Sequence, residues 1–134
     1  MYLLSGVVKC GCCNKIMYGS MRIRKNHPSF YTYTCKTKKS ECSNLKEIDR
    51  DSLESHVVEL VMNNCLKNNP TEYDKLTNLE QHSPEFRMIL QQYIKEVIVC
   101  KDYVKIFLYV DGKVKSYKQK RVNFKTVTQR YFKT

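Results

Sequence analysis

The chain has 134 residues, the length of one ordinary domain or of two small ones that share a core, and it is too short for most multi-domain enzymes. Its composition, 42% hydrophobic and 28% charged, is typical of a folded protein with a small core. The formal charge of +11 is concentrated at the two ends, since residues 1–40 and 103–134 each carry a net +8 whereas residues 41–102 carry −5. Two basic ends favour contact with a polyanion such as a nucleic-acid backbone.

The cysteine pattern indicates a reducing compartment. Seven cysteines, an odd number that includes the adjacent Cys12 and Cys13, fit poorly with a secreted disulfide framework. The first residues lack the basic leader of a signal peptide, and no apolar run approaches the roughly 18 residues of a membrane span. We therefore expect a cytoplasmic protein with no membrane partner.

The first third of the chain predicts a small β-ribbon with cysteines at its turns. Residues 3–9, 16–24 and 30–35 have the apolar, aromatic and β-branched composition of short strands. Residues 25–29 are a loop by composition. Residues 35–44 form a polar, basic loop that includes Cys42.

Two helices are predicted in the middle of the chain. The first begins after Asp49 or Asp51 as the cap and ends near Leu66. Its apolar residues recur at helical spacing, namely Leu53, Val57, Leu60, Val61 and Cys65. Residues 71–82 are polar and predict a weak helix or a loop. The sequence Ser83-Pro84-Glu85 then opens the second helix, with serine as the cap and proline in the first turn.

The last third predicts strands. These cover residues 97–100, 104–110 and 114–117, with a hairpin turn at Asp111-Gly112. Residues 118–134 mix bases with aromatic and β-branched side chains, and predict a further strand or a tail that becomes ordered on binding. The expected class is α+β: a β-ribbon (residues 1–47), then two helices, a C-terminal hairpin or small antiparallel sheet and a basic tail (residues 48–134), packed as one compact unit.

Four cysteines have the spacing of a zinc site. Cys10 and Cys13 form a C-x2-C pair, which directs two thiolates from one tight turn at a common centre, and Cys35 with Cys42 can complete a tetrahedron. A zinc ion that crosslinks two turns can replace a hydrophobic core and supply roughly 10 kcal/mol or more of folding free energy. The ribbon is therefore interpreted as a zinc β-ribbon.

Alternative ligands remain open at this stage. Cys12 could replace Cys13 in a C-x-C arrangement, although residues i and i+3 of a tight turn converge whereas residue i+2 points away. His27 could replace Cys42, but it lies far along the chain from the turn of Cys35. Cys65 and Cys100 lie on apolar faces and are expected to pack as small hydrophobic side chains.

The ribbon resembles a known family, the recombinase zinc beta-ribbon domain of large serine recombinases, the integrases and resolvases of mobile elements. The run Leu3-Leu4-Ser5-Gly6-Val7-Val8-Lys9-Cys10-Gly11-x-Cys13 is similar to the family's L-x-G-L-x-C-G-x-C-G. Further similarities follow it in order, at Met17, Gly19, Tyr31, Tyr33, Cys35, Cys42, Leu53-Glu54 and Val57. Asn14 stands where the family usually has glycine, and asparagine tolerates the left-handed conformation.

The resemblance continues more loosely beyond the ribbon. Residues 87–90, 94–99 and 104–106 are similar to the family's closing helix and hairpin. Members commonly carry a long coiled coil between these parts. The corresponding space here, residues 67–82, is far too short for one, so the resemblance supports no prediction about control of synapsis.

The resemblance implies a domain that holds double-stranded attachment-site DNA during recombination and integration. The predicted DNA-binding residues are the basic side chains of the ribbon and of the last third: Arg22, Arg24, Lys25, Lys36, Lys38, Lys39, Lys118, Lys120 and Arg121. Arg22 or Arg24 could also read a guanine edge by bidentate contact.

No catalytic residue is predicted in this chain. The family's nucleophilic serine belongs to a separate domain of the parent recombinase, and none of the serines here has a Ser-His-Asp setting. No small-molecule substrate is expected. The alternative function is a zinc-ribbon protein-interaction module whose two helices bind other recombinase subunits.

Overall fold

A computed structural model describes residues 1–38, 40–42 and 47–124, except for the side chain of Arg24. Within these ranges the chain forms three α-helices and two β-sheets, which confirms the predicted α+β class. The first sheet is antiparallel, with strand order β2-β3-β4, and comprises β2 (Tyr18–Arg24), β3 (His27–Thr34) and β4 (Glu47–Asp49). The second has the order β1-β5-β6-β7 and comprises β1 (Val8–Cys10), β5 (Ile94–Val99), β6 (Tyr103–Val110) and β7 (Lys113–Lys120).

The ribbon differs from its prediction in the first strand and in the turn between β2 and β3. The first strand is short, because residues 3–7 form turns in which Leu3 and Leu4 are fully buried. The predicted loop at residues 25–29 is wrong in part, since β3 already begins at His27. Asn26 has φ of 63° and makes the tight turn possible, because asparagine adopts this left-handed conformation at low cost. Strand β4 was not predicted.

Side-chain caps begin all three helices. Helix α1 (Arg50–Leu60) starts at Asp49, which accepts a hydrogen bond from Ser52 N at 2.9 Å, and a π-helical turn (Val61–Cys65) extends it to Leu66 as predicted. Helix α3 (Pro84–Gln91) is capped by Ser83, also as predicted. Between them, the stretch predicted as weak helix or loop forms the regular helix α2 (Pro70–Asn78).

The C-terminal strands extend beyond their predicted bounds. The hairpin turn at Asp111-Gly112 is confirmed, with φ of 51° and 78°. Strand β7 reaches Lys120 and is followed by a 3-10 turn (Arg121–Asn123). Residues 125–134 of the predicted tail lie outside the described residues.

Parallel pairing of β1 with β5 joins the ribbon to the second sheet. Val8, Lys9 and Cys10 pair in register with Val97, Ile98 and Val99. The second sheet is therefore mixed rather than antiparallel, and it was predicted without β1. Its buried face joins the ribbon and the helices in one core, which includes Val8, Tyr33, Val57, Val61, Leu90, Val97, Ile106 and Leu108.

A buried carboxylate fastens the N-terminal segment to this core. Glu54 on α1 accepts hydrogen bonds from Leu3 N at 2.9 Å and from the Tyr33 hydroxyl at 2.6 Å, and the same hydroxyl accepts from Leu4 N at 3.0 Å. The side chain of Glu54 is 1% exposed, and this burial raises the pKa of its carboxyl group. His82, which precedes α3, approaches its second oxygen at 3.5 Å.

Gly19 provides the space for an aromatic ring. A Cβ atom at this position would lie 2.6 Å from ring carbons of Tyr2, whose hydroxyl donates to Ser20 O at 2.7 Å. We expect Gly19→Ala to lower the free energy of unfolding by about 1 to 3 kcal/mol, because the ring must move. Denaturant unfolding of the chain measures this change. In a Tyr2→Ala background the same substitution should cost little, and an undiminished cost there would contradict the proposed clash.

Candidate metal centre

Four sulfur atoms converge where the ribbon meets the second sheet. The Sγ atoms of Cys10, Cys13, Cys35 and Cys42 all lie within 4.8 Å of one another. Three of these cysteines are buried and Cys13 is half-buried. The structure thus brings together the four cysteines that the spacing predicted as metal ligands.

The sulfur spacing fits a tetrahedral metal ion. Cys10 Sγ lies 3.5 Å from Cys42 Sγ, Cys13 Sγ lies 3.6 Å from Cys35 Sγ, and Cys35 Sγ lies 4.0 Å from Cys42 Sγ. Four thiolates at the usual zinc–sulfur length of about 2.3 Å would be about 3.8 Å apart. The donor set and its spacing are therefore suited to a closed, four-coordinate site.

The first two ligands lie on a tight turn that is bonded to β5. Cys10 N donates to Lys15 O at 2.9 Å and Asn14 N donates to Cys10 O at 2.8 Å. Asn14 has φ of 62°, so asparagine occupies the left-handed position where the family usually has glycine. Gly11 is needed for a different reason, because a Cβ atom there would lie 2.3 Å from Cys100 Sγ.

The other two ligands lie on the segment between β3 and β4. Cys35 follows β3 directly, and Cys42 N donates to Lys38 O at 3.0 Å. The Thr37 hydroxyl lies 3.2 Å from Cys13 Sγ and lowers the pKa of this thiol, which favours the thiolate that binds metal. The two turns face each other across the sulfur cluster.

The remaining cysteines and His27 lie outside this group. Cys12 is exposed on the first turn, as expected for residue i+2, and the cluster contains Cys13 instead. Cys65 and Cys100 are half-buried on the π-helical turn and after β5. Burial raises the pKa of Cys65 to about 11, which keeps this thiol protonated. His27 begins β3 and is exposed, and Cys42 takes the position for which histidine was the alternative.

The predicted DNA-binding residues of the ribbon occupy two regions. Lys36 and Lys38 are exposed beside Cys35, and Lys36 Nζ lies 5.8 Å above the ring of Tyr18. Lys25 is exposed at the hairpin turn, and Arg22 on β2 forms an ion pair with Glu47. Lys39 and the side chain of Arg24 lie outside the described part of the chain.

The predicted basic residues of the C-terminal region divide into exposed and buried ones. Lys118 and Lys120 are exposed on β7. Arg121 is only 6% exposed, and its guanidinium donates to Cys100 O at 2.7 Å and to Glu47 O at 2.8 Å. It joins the end of β5 to β4, so we remove it from the predicted DNA-binding set.

Four neighbours of Lys36 were missed by the sequence analysis. A shallow depression beside the cysteines is lined by Lys15, Ile16, Tyr18, Lys36 and Thr37. Ile16 and Tyr18 are exposed although they are large and apolar. One signal in the sequence indicated this depression: Lys15 lies two residues after Cys13, a candidate metal ligand.

The comparisons with known proteins identify one family. No curated protein and no solved structure matches the chain. Separately, no helix within the described ranges has the length and apolar composition needed to cross a membrane. Residues 3–62 match the model of the recombinase zinc beta ribbon domain. The match contains all four clustered cysteines together with the whole of α1. The chain therefore carries a recombinase zinc beta-ribbon domain over residues 3–62.

Proposed function

We propose that the four cysteines hold one zinc ion and that the chain is the DNA-holding part of a serine site-specific recombinase. The observation that carries this proposal is the four-cysteine cluster inside the family-matched domain, beside an exposed basic surface. The zinc ion, when bound, crosslinks the two turns and supplies structural stability. The ligand residues fix the position of the lysines around them.

The charge distribution supports contact with duplex DNA. Residues 1–40 contain eight lysines or arginines and no acid. Lys15, Lys36 and Lys38 surround the metal centre and are exposed. Ammonium groups on such a surface bind phosphates by releasing condensed counterions, and these contacts position a protein without reading sequence.

Contact with a base edge is assigned to Arg22 or Arg24, in addition to the phosphate contacts of the lysines. Both lie on β2, two residues apart. Arg22 pairs with Glu47 in the free protein. A guanine edge would have to replace the Glu47 carboxylate as the partner of Arg22. Phosphate contact by the lysines is therefore the main part of the proposal.

We assign no catalytic step to this chain. Four thiolates complete a tetrahedral zinc site and leave no open position for an activated water. In the proposed parent protein, strand cleavage takes place in a separate domain with the nucleophilic serine. This chain holds the attachment-site DNA for that domain.

Phosphate contact predicts a salt dependence that lysine variants reduce. We expect Lys36→Gln/Lys38→Gln to weaken duplex binding and to lower the slope of log affinity against log salt by roughly one unit per lysine. The matched control is Lys67→Gln/Lys75→Gln, which makes the same charge change at exposed positions outside the ribbon. Fluorescence anisotropy with a labelled mixed-sequence duplex measures both quantities. Equal effects of the two double variants, or wild-type binding whose affinity does not change with salt concentration, would refute the proposal.

The subunit-contact alternative has a smaller basis. Tyr73 on α2 and Met88 on α3 are 39% and 68% exposed. Single apolar side chains at the surface are ordinary in monomeric proteins. Self-association of the chain without DNA, measured by sedimentation, is the result that would favour this alternative.

A further inference from the structure

The second sheet has one buried face and one open face. Alternate residues of β6 point into the core, where Val104, Ile106 and Leu108 are fully buried. The residues between them, which include Lys105 and Phe107, point to the opposite face and are half-buried. In the described part of the chain the buried face shares its core with the helices, so the open face is the one on which a partner could lie.

Lysines and isoleucines form a single row across this open face. Lys9 pairs with Ile16 on one side and with Ile98 on the other, Ile98 pairs with Lys105, and Lys105 pairs with Lys118. Paired residues share a face, and neighbouring strands are about 4.8 Å apart, so the row is roughly 19 Å long. It runs from the metal-bearing turn to the edge strand β7.

Each end of the row lies in a shallow basic depression with a tyrosine. Ile16 lines the depression beside the metal centre, together with Tyr18 and Lys36. Lys118 lines another at the far end, together with Tyr103, Gln119, Lys120 and Asn123. The row therefore connects the predicted basic residues of the ribbon with those of β7, which lie far apart in the sequence.

Aromatic rings support the ammonium groups on this face. Lys118 Nζ lies 4.2 Å from the ring centre of Tyr103, and Lys105 Nζ lies 5.3 Å from that of Phe107. Lysines held over rings lose less side-chain entropy when they bind an anion. Because the ammonium groups already cover these ring faces, a base could stack there only by displacing them.

The acidic residues lie mainly elsewhere. Glu96 is the one acid in the four strands of this sheet, and its carboxylate is 3.3 Å from Lys9 Nζ. Four exposed acids within the described residues, Glu59, Asp74, Glu80 and Glu85, lie on or next to the helices. Asp102 and Asp111 are exposed in the turns that join the strands of this sheet, and Glu41 is exposed beside Cys42. The excess of lysines over acids within the strands themselves would orient the open face towards a polyanion.

We propose that the open face of the second sheet extends the DNA-binding surface of the ribbon, with Lys9, Lys105 and Lys118 contacting the phosphates of a duplex. The proposal rests on the DNA-holding function above and adds a second surface to it. Duplex DNA is favoured over a single strand because a single strand would use the ring faces for base stacking, and the ammonium groups cover them. Lys9 is paired with Glu96 at 3.3 Å, so a phosphate would have to compete with that carboxylate, and Lys105 and Lys118 are the residues chosen for the test.

Strand β7 offers a matched pair of variants for the test. Lys118 and Lys120 point to the open face, whereas Lys113 and Lys115 are paired with Val110 and Leu108 and point to the opposite one. The test variant is Lys105→Gln/Lys118→Gln, and the control is Lys113→Gln/Lys115→Gln. Both lower the charge by two in the full zinc-loaded chain, and all four side chains lie outside the metal centre.

We expect the test variant to bind a mixed-sequence duplex about five- to tenfold more weakly per lysine at about 0.1 M salt, with the slope of log affinity against log salt reduced by roughly 1.8 in total. The control should retain most of the wild-type affinity. Equal losses for the two variants would overturn the open-face surface while leaving the ribbon's DNA binding intact. Absence of salt-dependent binding by the wild type would refute the DNA-holding function itself, and the open face with it.

A single-stranded oligonucleotide of the same sequence provides the second arm. The wild type should prefer the duplex. A preference for the single strand, lost on Tyr103→Ala and kept on Lys105→Gln, would replace phosphate contact by base stacking and overturn the proposal as stated.

Discussion

Replacement of Cys13 by serine is expected to remove the metal and unfold the ribbon, whereas replacement of Cys12 is expected to change neither. Cys13 Sγ lies in the four-sulfur cluster, 3.6 Å from Cys35 Sγ, whereas Cys12 is exposed on the same turn and lies outside it. Serine is a poor zinc ligand in place of a thiolate, so its substitution for Cys13 forfeits much of a binding free energy of roughly 10 kcal/mol or more.

Metal content per chain, measured by elemental analysis after gel filtration, gives the first readout. Circular dichroism during titration with a chelator gives the second. The wild type and Cys12→Ser should contain one zinc ion and lose structure together with the metal. Equal metal loss in the two variants, or a Cys13→Ser chain that keeps its zinc, would show that the ligand set is wrong.

The second large effect is expected at Glu54. Glu54→Leu leaves Leu3 N and the Tyr33 hydroxyl without their acceptor in the core. Each of the two buried donors left without a partner costs roughly 1 to 3 kcal/mol, so we expect a loss of about 2 to 6 kcal/mol from the free energy of unfolding. Glu54→Gln keeps an acceptor oxygen and serves as the control. Denaturant unfolding at fixed zinc concentration compares them, and a mild Glu54→Leu variant would mean that the bonds contribute little.

The same residue predicts a pH dependence. Burial raises the pKa of Glu54 in the folded chain above the ordinary value of 4.5. The folded state therefore holds this proton more tightly than the unfolded state. Stability from this group is fully present below pH 4.5 and is lost as the pH rises through the folded pKa.

The difference in unfolding free energy between the wild type and Glu54→Gln isolates this group, because metal ligands contribute equally to both proteins. Relative to the variant, the wild type should lose stability as the pH rises above 4.5. A difference that is independent of pH would show that the carboxyl group titrates as it does in the unfolded chain.

Features encoded by a few adjacent residues were predictable from the sequence. Asp49 and Ser83 cap helices as expected, and Asp111-Gly112 turns a hairpin, because each works through its own backbone neighbours. The convergence of Cys10 and Cys13 was predictable for the same reason, because the two residues share one turn. Helix α2 was underestimated because its polar sequence provides only Leu76 as a fully buried residue, and apolar periodicity is the main signal for a helix.

Features that depend on distant pairing were not predictable. Nothing near Val8 indicates that β1 will lie beside β5, and the basic row on the open face becomes visible only after this register is known. The burial of Arg121 was not predictable either, because arginine in a basic stretch is exposed in most proteins. Here its guanidinium is buried and donates hydrogen bonds to two main-chain carbonyl groups. Exposure of a charged residue is decided by tertiary packing.

The parallel pairing of β1 with β5 also affects the order in which the chain can fold during its synthesis. Both cysteine turns of the ribbon are translated before the three helices, whereas β5, the neighbour of β1, is translated only after them. Until then β1 is an open strand edge, and such edges recruit other chains. A metal ion bound early by the four cysteines would hold β1 in place through Cys10 until β5 is made.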